Sequence, residues 1–527
     1  MKRKLLLRIL LGIVAFVLLL MFLTAVIVEP WVGKKIRTEL NANSPDYLFK
    51  IDKVHVSIFK SGLELETVTI SSKQEQAGQP DLKGEIASIK IKGINLLKAL
   101  YKNDIDISEV SISNINIKGK MPFQAKTKPP KVSPLNIRID SLFLDKIDLE
   151  IKNTSNAQSY SVKDGILKLY DLQVAKHDTL SLAIVKQFDF DAVKLLSVSA
   201  DSMNTNVAIG INYSATSKTL AIDSFSIHPN YKDFDFTARH KFATDRIEAE
   251  FHGIHFHDFS ASDYIKSGNL ISSFIEIGNM DMNVFRDTRK ETEHKKTQSF
   301  QELIYNFPGT LHIDSIGLIS GNVTYTEQVK KANEPGVISF NEIKAKIYKI
   351  ANDPVYKTEK AFVELHAEAL LMGKGKVTIL LKGRLFDNQN TFSLDGTLSG
   401  MDASELNPML EKNAFISVTS GRIDAMSFNL VANNTKATGN MTLLYHGLNI
   451  AVKNKRTDET KAPKESFESL IVNKILVDSN PVPGEPVRVG IIDYERDPER
   501  FLFNYSAKAI LTGIKSSLVK SPNKQKK

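Results

Sequence analysis

Residues 105–119 read IDISEVSISNINIKG, with apolar side chains in alternating pairs: Ile105 and Ile107, Val110 and Ile112, Ile115 and Ile117. A period of two sends such residues to one face of an extended chain and the Asp, Ser, Asn and Lys between them to the other. That is the pattern of a half-buried strand. It recurs at Phe392-Leu394, Phe428-Leu430, Met441-Leu443-Tyr445 and Leu448-Ile450-Val452. Asn, Gly and Asp punctuate the runs at roughly 8–12-residue spacing, as successive hairpins require. The chain is therefore expected to be mainly β.

One pattern repeats: Ile, two mostly polar positions, then apolar-x-apolar. It begins at Ile51, Ile107, Ile139, Ile222 and Ile313, and the last three copies all open Ile-Asp-Ser. The third and fifth copies extend further, with Leu149 and Val323 in equivalent places. Intervals of 56, 32, 83 and 91 residues are too unequal for a simple solenoid. They fit a repeated strand pair with differing insertions; chance recurrence in a strand-rich chain is the alternative.

Composition narrows the classes. A chain of 527 residues allows about three or four domains or one very extended one. With 42% hydrophobic and 24% charged residues, neither a disordered chain nor a polytopic membrane protein fits. Zero cysteines exclude disulfides, thiolate metal sites and cysteine nucleophiles. The net charge of +9 sits at the ends: +4 from Lys2, Arg3, Lys4 and Arg8, and +6 from the lysines of residues 508–527, which leaves −1 for the body. A near-neutral body offers no field for a polyanion, so no nucleic-acid partner is expected.

Leu5 to Val28 is almost uninterrupted apolar sequence, including Ile9, Val14 and Leu19. Twenty residues at 1.5 Å rise span a ~30 Å hydrocarbon core. Basic residues precede it, so the expected arrangement is a single-pass inner-membrane protein, amino terminus cytoplasmic and bulk periplasmic. A cleaved signal peptide is the rival reading. Trp31, Lys34, Lys35 and Arg37 suit an interfacial helix leaving the bilayer.

Few helices are expected: Ile94–Lys102, Ser262–Phe274, Phe300–Phe307 after a mobile polar loop at Arg286–Gln298, Asp402–Glu411 capped by Asp402, Ser466–Ile475, and a basic amphipathic Glu499–Val519. That last helix could lie on a membrane or cap the sheet. The tail Ser521–Lys527 is read as disordered.

Chemistry is sparse. There is no nucleophile elbow, zinc-protease helix or phosphate loop; Gly373-Lys374-Gly375-Lys376 lies between strand-like runs and reads as a turn. His252, His255 and His257, with Asp258 and His240 as extra donors, form the best metal candidate, but alternation with Phe251, Phe256 and Phe259 reads more simply as strand filling. Asp189 and Asp191 beside Phe188 and Phe190, and Asp233 and Asp235 beside Phe234 and Phe236, read as solvated faces opposite aromatic ones. No catalytic residue, metal or cofactor is assigned, and the chain is not read as an enzyme.

The layout resembles the AsmA-like proteins of the Gram-negative envelope, relatives of TamB and of bridge-like lipid-transfer proteins. The resemblance rests on four stretches: Ile51–Ser71 (IDKVHVSIFKSGLELETVTIS, a hairpin turning near Gly62), Ile86–Lys118 (strand, helix, strand), Asp402–Gly439 (helix, strand, a turn at Gly421, strand) and Tyr494–Gly513. It implies a long twisted antiparallel β-groove, taco-like, with an apolar concave face. The implied layout is a stub and transmembrane anchor at 1–28 (Leu5, Ile9, Val14, Leu19, Val28, with Trp31 just beyond), a juxtamembrane helix at 29–47, β regions at 48–285 and 310–480 separated by a loop and short helix at 286–309, and a closing segment at 481–527. Its implied partners are phospholipid or another acyl lipid, the inner membrane and envelope proteins. Groove candidates are Val110, Ile112, Leu142, Leu144, Ile316, Leu318, Met441 and Leu443. The implied function is lipid binding or transfer in outer-membrane biogenesis. A scaffold for outer-membrane protein assembly is the second reading, a metal hydrolase a distant third. Alternation alone does not separate an open groove from a closed sandwich.

Overall fold

In the computed structural model, the residues described are 22–44, 46–57, 61–73, 81–95, 104–121, 136–174, 187–353, 361–452 and 476–519. Their strands are β1 (Tyr47–Ser57), β2 (Gly62–Ser72), β3 (Asp81–Lys92), β4 (Asp104–Met121), β5 (Asn136–Asn153), β6 (Ser159–Val174), β7 (Gln187–Val198), β8 (Asn204–Ser214), β9 (Thr219–Pro229), β10 (Asp245–His257), β11 (Leu270–Asp287), β12 (Leu311–Gln328), β13 (Gly336–Ala351), β14 (Phe362–Leu371), β15 (Gly375–Arg384), β16 (Phe392–Asp402), β17 (Ile416–Ala432), β18 (Lys436–Val452) and β19 (Val489–Glu495). They belong to a nineteen-strand sheet, which establishes the mainly β class. Two compact units share the chain: residues 1–223 with 261–266, and residues 224–260 with 267–527. The segment 286–309 therefore lies inside the second unit.

Short turns join several of the antiparallel pairs. Met372 and Gly373 take φ of +53° and +68° between β14 and β15, the left-handed turn that matches strand twist. The sheet is not wholly antiparallel, however. β4 pairs parallel with β5, and β11 parallel with β12. A parallel pair needs a crossover; in the second unit residues 288–310 supply it, with a short helix, Phe300–Tyr305. Ser299 starts that helix with a capping box: its Oγ accepts from the Glu302 N–H at 3.1 Å, and Glu302 accepts from the Ser299 N–H at 2.7 Å. The repeat now has a physical meaning. Copies two and three are β4 and β5 lying side by side, Ile107 against Ile139, Val110 against Leu142 and Ile112 against Leu144. Copy five opens β12, again the second strand of a parallel pair.

The expected single-pass inner-membrane arrangement is corrected: among the described residues no helix is long and apolar enough to cross a membrane. Leu5, Ile9, Val14 and Leu19 lie outside those residues. Val28 ends a five-residue π-helical turn, Thr24–Val28, and the helix that follows, Glu29–Asn43, carries Glu29, Lys34, Lys35, Arg37 and Glu39. Trp31 is exposed, with the Lys35 ammonium over its ring at 5.5 Å. Val32, Ile36 and Leu40 of this helix pack on Ile51, Val54, Leu65 and Val68. The helix thus rests on its own sheet.

Other expectations shift in detail. A helix occupies only Ala261–Ser267 of the Ser262–Phe274 stretch, because β11 begins at Leu270. Residues 403–414 form successive 3-10, α and π turns without a side-chain cap from Asp402, which pairs instead with Arg422 at 3.4 Å. Asp233–Ala238 is a helix, not a strand: Asp233 lies 3.5 Å from the Arg246 guanidinium, and Phe236 is buried while Phe234 packs edge-on against Phe285. Gly421 interrupts no chain direction; β17 runs through it at φ +126°. The polar stretch after β11 is tied down, since Thr297 donates to the Pro498 carbonyl at 2.9 Å and His294 bonds Glu499 at 3.0 Å. Most of Ile94–Lys102, all of Ser466–Ile475 and the tail fall outside the described residues.

Candidate functional site

Ladder pairing turns the alternation of single strands into continuous rows. In the first unit one row runs Val54, Leu65, Ile89, Ile112, Leu144, Leu167, Phe190, Tyr213, one side chain from each of β1 to β8. Beside it runs Val56, Leu63, Ile91, Val110, Leu142, Leu169, Phe188. Every member is apolar or aromatic. At ~4.8 Å per strand, a row across eight strands is about 34 Å long.

The opposite face is charged and cross-paired. Lys90 meets Glu64 at 2.9 Å, Lys118 meets Glu150 at 2.8 Å, and Lys163 meets Asp148 at 3.0 Å. Lys90 holds the Glu64 carboxyl below its usual range, and the Asp164 backbone N–H does the same for Asp148, helped by Lys163. Exposed pairs of this kind add little stability; they mark the hydrated face.

A crease crosses the first unit. Thr67, Asn114, Lys146, Asp164 and Gly210 take φ of +50°, +53°, +52°, +50° and +64°. Each sits where the ladder skips a position: between Glu66 and Val68, Ser113 and Ile115, Asp145 and Ile147, Lys163 and Gly165, Ile209 and Ile211. The left-handed residue lets a three-residue step return to the same face, so the apolar rows survive the break. These left-handed breaks fall on β2, β4, β5, β6 and β8 in one band across the ladder. In the sequence the crease is the pair of polar residues between apolar pairs, such as Ser113-Asn114 and Asp145-Lys146.

In the second unit a row runs Phe256, Ile275, Ile316, Ile347, Leu365, Leu381, Leu394, Leu430, Gly439, Ile492 from β10 to β19. The next row passes through Ile277, Leu318, Ala345, Ala367, Ile379, Gly396, Phe428 and Met441. Helices cover much of this face. Phe300, Ile304 and Phe307 pack on Ile275, Ile313, Ile350 and Val363. The Leu502–Leu518 helix lays Tyr505, Ala509 and Leu518 on Leu394, Phe428, Met441, Leu443 and Ile492. It is a cap on the sheet, and burial pushes the Tyr505 phenol up to about 12. A furrow of about 520 Å³ crosses β13–β16 on the other face, between Lys346, His366 and Asp395 on one side and Lys344, Glu368 and Thr397 on the other. Its mixed charge suits water, not acyl chains.

The eight groove candidates therefore divide. Val110, Ile112, Leu142 and Leu144 form a contiguous square on β4 and β5, and all but Val110 are only partly buried. Ile316 and Leu318 are partly buried on β12. Met441 (0% exposed) and Leu443 lie in the closed core beneath the terminal helix. Leu167, Phe190 and Tyr213 belong to the same track but were not singled out in the sequence; Phe188-x-Phe190 was its visible trace.

Groups that could have carried chemistry do not converge. His252, His255 and His257 stand exposed along β10, His257 stacked on Phe274 at 5.8 Å and His252 paired with Glu250 at 3.3 Å. Among the described residues no three His, Cys, Asp or Glu side chains are placed to hold a metal. Asp189 accepts from the Ala215 N–H at 2.9 Å, and Asp191 accepts from the Asn212 amide. Both are held by neighbouring-strand groups. The chain matches no known family model and no curated protein.

Proposed function

We propose that this protein binds acyl lipids on the apolar face of its sheet and passes them along the side-chain rows. The observation that carries the reading is the unbroken row from Val54 to Tyr213: the Glu29–Asn43 helix covers its β1–β3 end and Tyr213 is buried at the other, its hydroxyl accepting from the Ala261 N–H at 3.1 Å, while Ile89, Ile112, Leu144, Leu167 and Phe190 between them stay partly exposed. Two further features support it. Aromatic pairs such as Phe143 with Tyr170 and Phe188 with Tyr213 join ladder neighbours, as in a single layer rather than a face-to-face sandwich. The crease would fold the sheet across the middle of its strands and turn the apolar rows into the walls of a trough. The resemblance to AsmA-like proteins points the same way.

The mechanism is passive. Each CH₂ taken from water is worth ~0.8 kcal/mol, and equivalent apolar side chains at every ~4.8 Å step let a chain slide without a deep minimum. Headgroups stay at the hydrated rim, so no residue catalyses a step. The test is Ile112→Asp with Leu144→Asp, a carboxylate pair in the middle of the row. We expect the variant to keep its β circular dichroism and lose bound lipid after expression and extraction. A variant that unfolds places the row in a closed core, and one that keeps its lipid places the lipid elsewhere; both overturn the reading.

A further inference from the structure

The first and last strands of a sheet expose unpaired N–H and C=O groups that template the addition of another strand. Among the described residues β1 pairs only with β2 and β19 only with β18, and the outer side of each is occupied by side chains of a flanking helix. At β1, the Asn41 amide donates to the Phe49 carbonyl at 2.9 Å and accepts from the Phe49 N–H at 2.8 Å. That two-bond ring is what a residue of a neighbouring antiparallel strand would make. One helical turn earlier, Arg37 donates to the Ile51 carbonyl at 2.6 and 3.0 Å and to the Asp52 carbonyl at 3.2 Å. Further along, Glu29 accepts from the Val56 N–H at 2.9 Å. At β19, Ser516 accepts from the Ile491 N–H at 3.0 Å and Thr512 from the Asp493 N–H at 3.3 Å.

The same geometry serves both edges. Arg37 and Asn41 are four residues apart on a helix, as are Thr512 and Ser516, a spacing of about 6 Å. Phe49 and Ile51, like Ile491 and Asp493, are two residues apart on a strand, about 6.6 Å. Helix positions i and i+4 thus register with outward-facing strand positions i and i+2, and helix and strand run antiparallel in each case. We propose that the two helices are built-in edge blockers: an autoinhibitory contact that occupies the backbone groups through which a second copy of this chain would add its own edge strand. The exposed side chains of β19, Val489 and Ile491 (57% and 63% exposed), would otherwise make that edge adhesive.

The experiment uses the full chain with Thr512→Val and Ser516→Ala at one edge and, separately, Arg37→Ala and Asn41→Ala at the other. Amide exchange is read at Ile491 and Asp493, or at Phe49 with the Glu29-bonded Val56 as the unaltered reference, and sedimentation velocity is run over a range of concentrations. The wild type is expected to protect these amides and sediment as one species. Each double variant is expected to exchange at its own edge about five- to tenfold faster and to form a concentration-dependent dimer. Lost protection with unchanged sedimentation overturns blocking, and unprotected wild-type amides overturn the contact itself. Should the β1 variant fail to fold, the near-isosteric Thr512→Val with Ser516→Ala decides.

Discussion

Truncating Met441 and truncating Ile112 should have very different consequences, because one side chain is sealed and the other is offered. Met441 is 0% exposed. Around it the terminal helix and β19 leave no slack: a Cβ placed on Gly513 would stand 3.1 Å from Met441 Cε and 2.8 Å from Ile492 Cγ1. A site that cannot collapse retains its cavity, so Met441→Ala should cost about 3.5–5 kcal/mol, the upper half of the range for such truncations. Ile112 occupies an equivalent row position but is only partly buried. Full burial of an isoleucine is worth ~1.5–3 kcal/mol, so Ile112→Ala should cost about 1 kcal/mol in lipid-free protein. The assay is urea unfolding of the full chain, with hydrogen exchange resolving the two units so that a two-state fit is applied to each. Equal costs at the two sites would refute the division into a helix-capped core and an open face. A cost at Ile112 above about 3 kcal/mol would do the same.

Other outcomes follow from particular groups. Burial raises the Glu327 carboxyl above its ordinary 4.5 despite the cations Lys508, Arg286 and Arg500. A raised acid favours the protonated fold, so its contribution is present below pH 4.5 and is lost as pH rises through the folded value. Glu327→Gln, which can still accept from Asn413 at the 3.2 Å contact, should melt higher than wild type near pH 8 and at the same temperature near pH 4; a variant less stable at pH 8 would show that the surrounding cations outweigh burial. His294 is raised above 6.5 by its bond to Glu499, so its help to the fold is full below pH 6.5 and fades as pH climbs through the raised value. Glu499→Gln should return the imidazole to about its free titration, read by proton NMR, and an unchanged midpoint would remove the ion pair as the cause.

The strands were legible because a period of two leaves little else to build, and residues 105–119 lie in β4 as their alternation requires. That Val110, Ile112, Leu142 and Leu144 share one apolar face could also be anticipated. What local pattern could not supply was long-range pairing. Nothing within β4 or β5 says that they run parallel; only the near-identity of repeat copies two and three hinted that they lie in register. Phe188–Asp191 and Asp233–Phe236 alternate in the same way, yet the second is a helix, because the buried Arg246 guanidinium takes the Tyr231 carbonyl at 3.0 Å and draws Asp233 with it. Met441 and Leu443 match the groove pattern as well as Ile112 does. The difference is made by the Leu502–Leu518 helix, which arrives from nearly sixty residues further along the chain. The amino-terminal helix lies where it was expected, at Glu29–Asn43, but its charged residues read as a membrane interface gave no hint that Arg37 and Asn41 bond the edge of β1.

The most direct test of an acyl-binding face is mass spectrometry of what the full-length protein carries when purified without added detergent. A single-layer apolar face predicts phospholipid or another acyl lipid at near-stoichiometric amounts, retained through purification and released by organic solvent. Stable, folded, lipid-free protein would contradict it, and would mean that the apolar rows are satisfied by the protein itself.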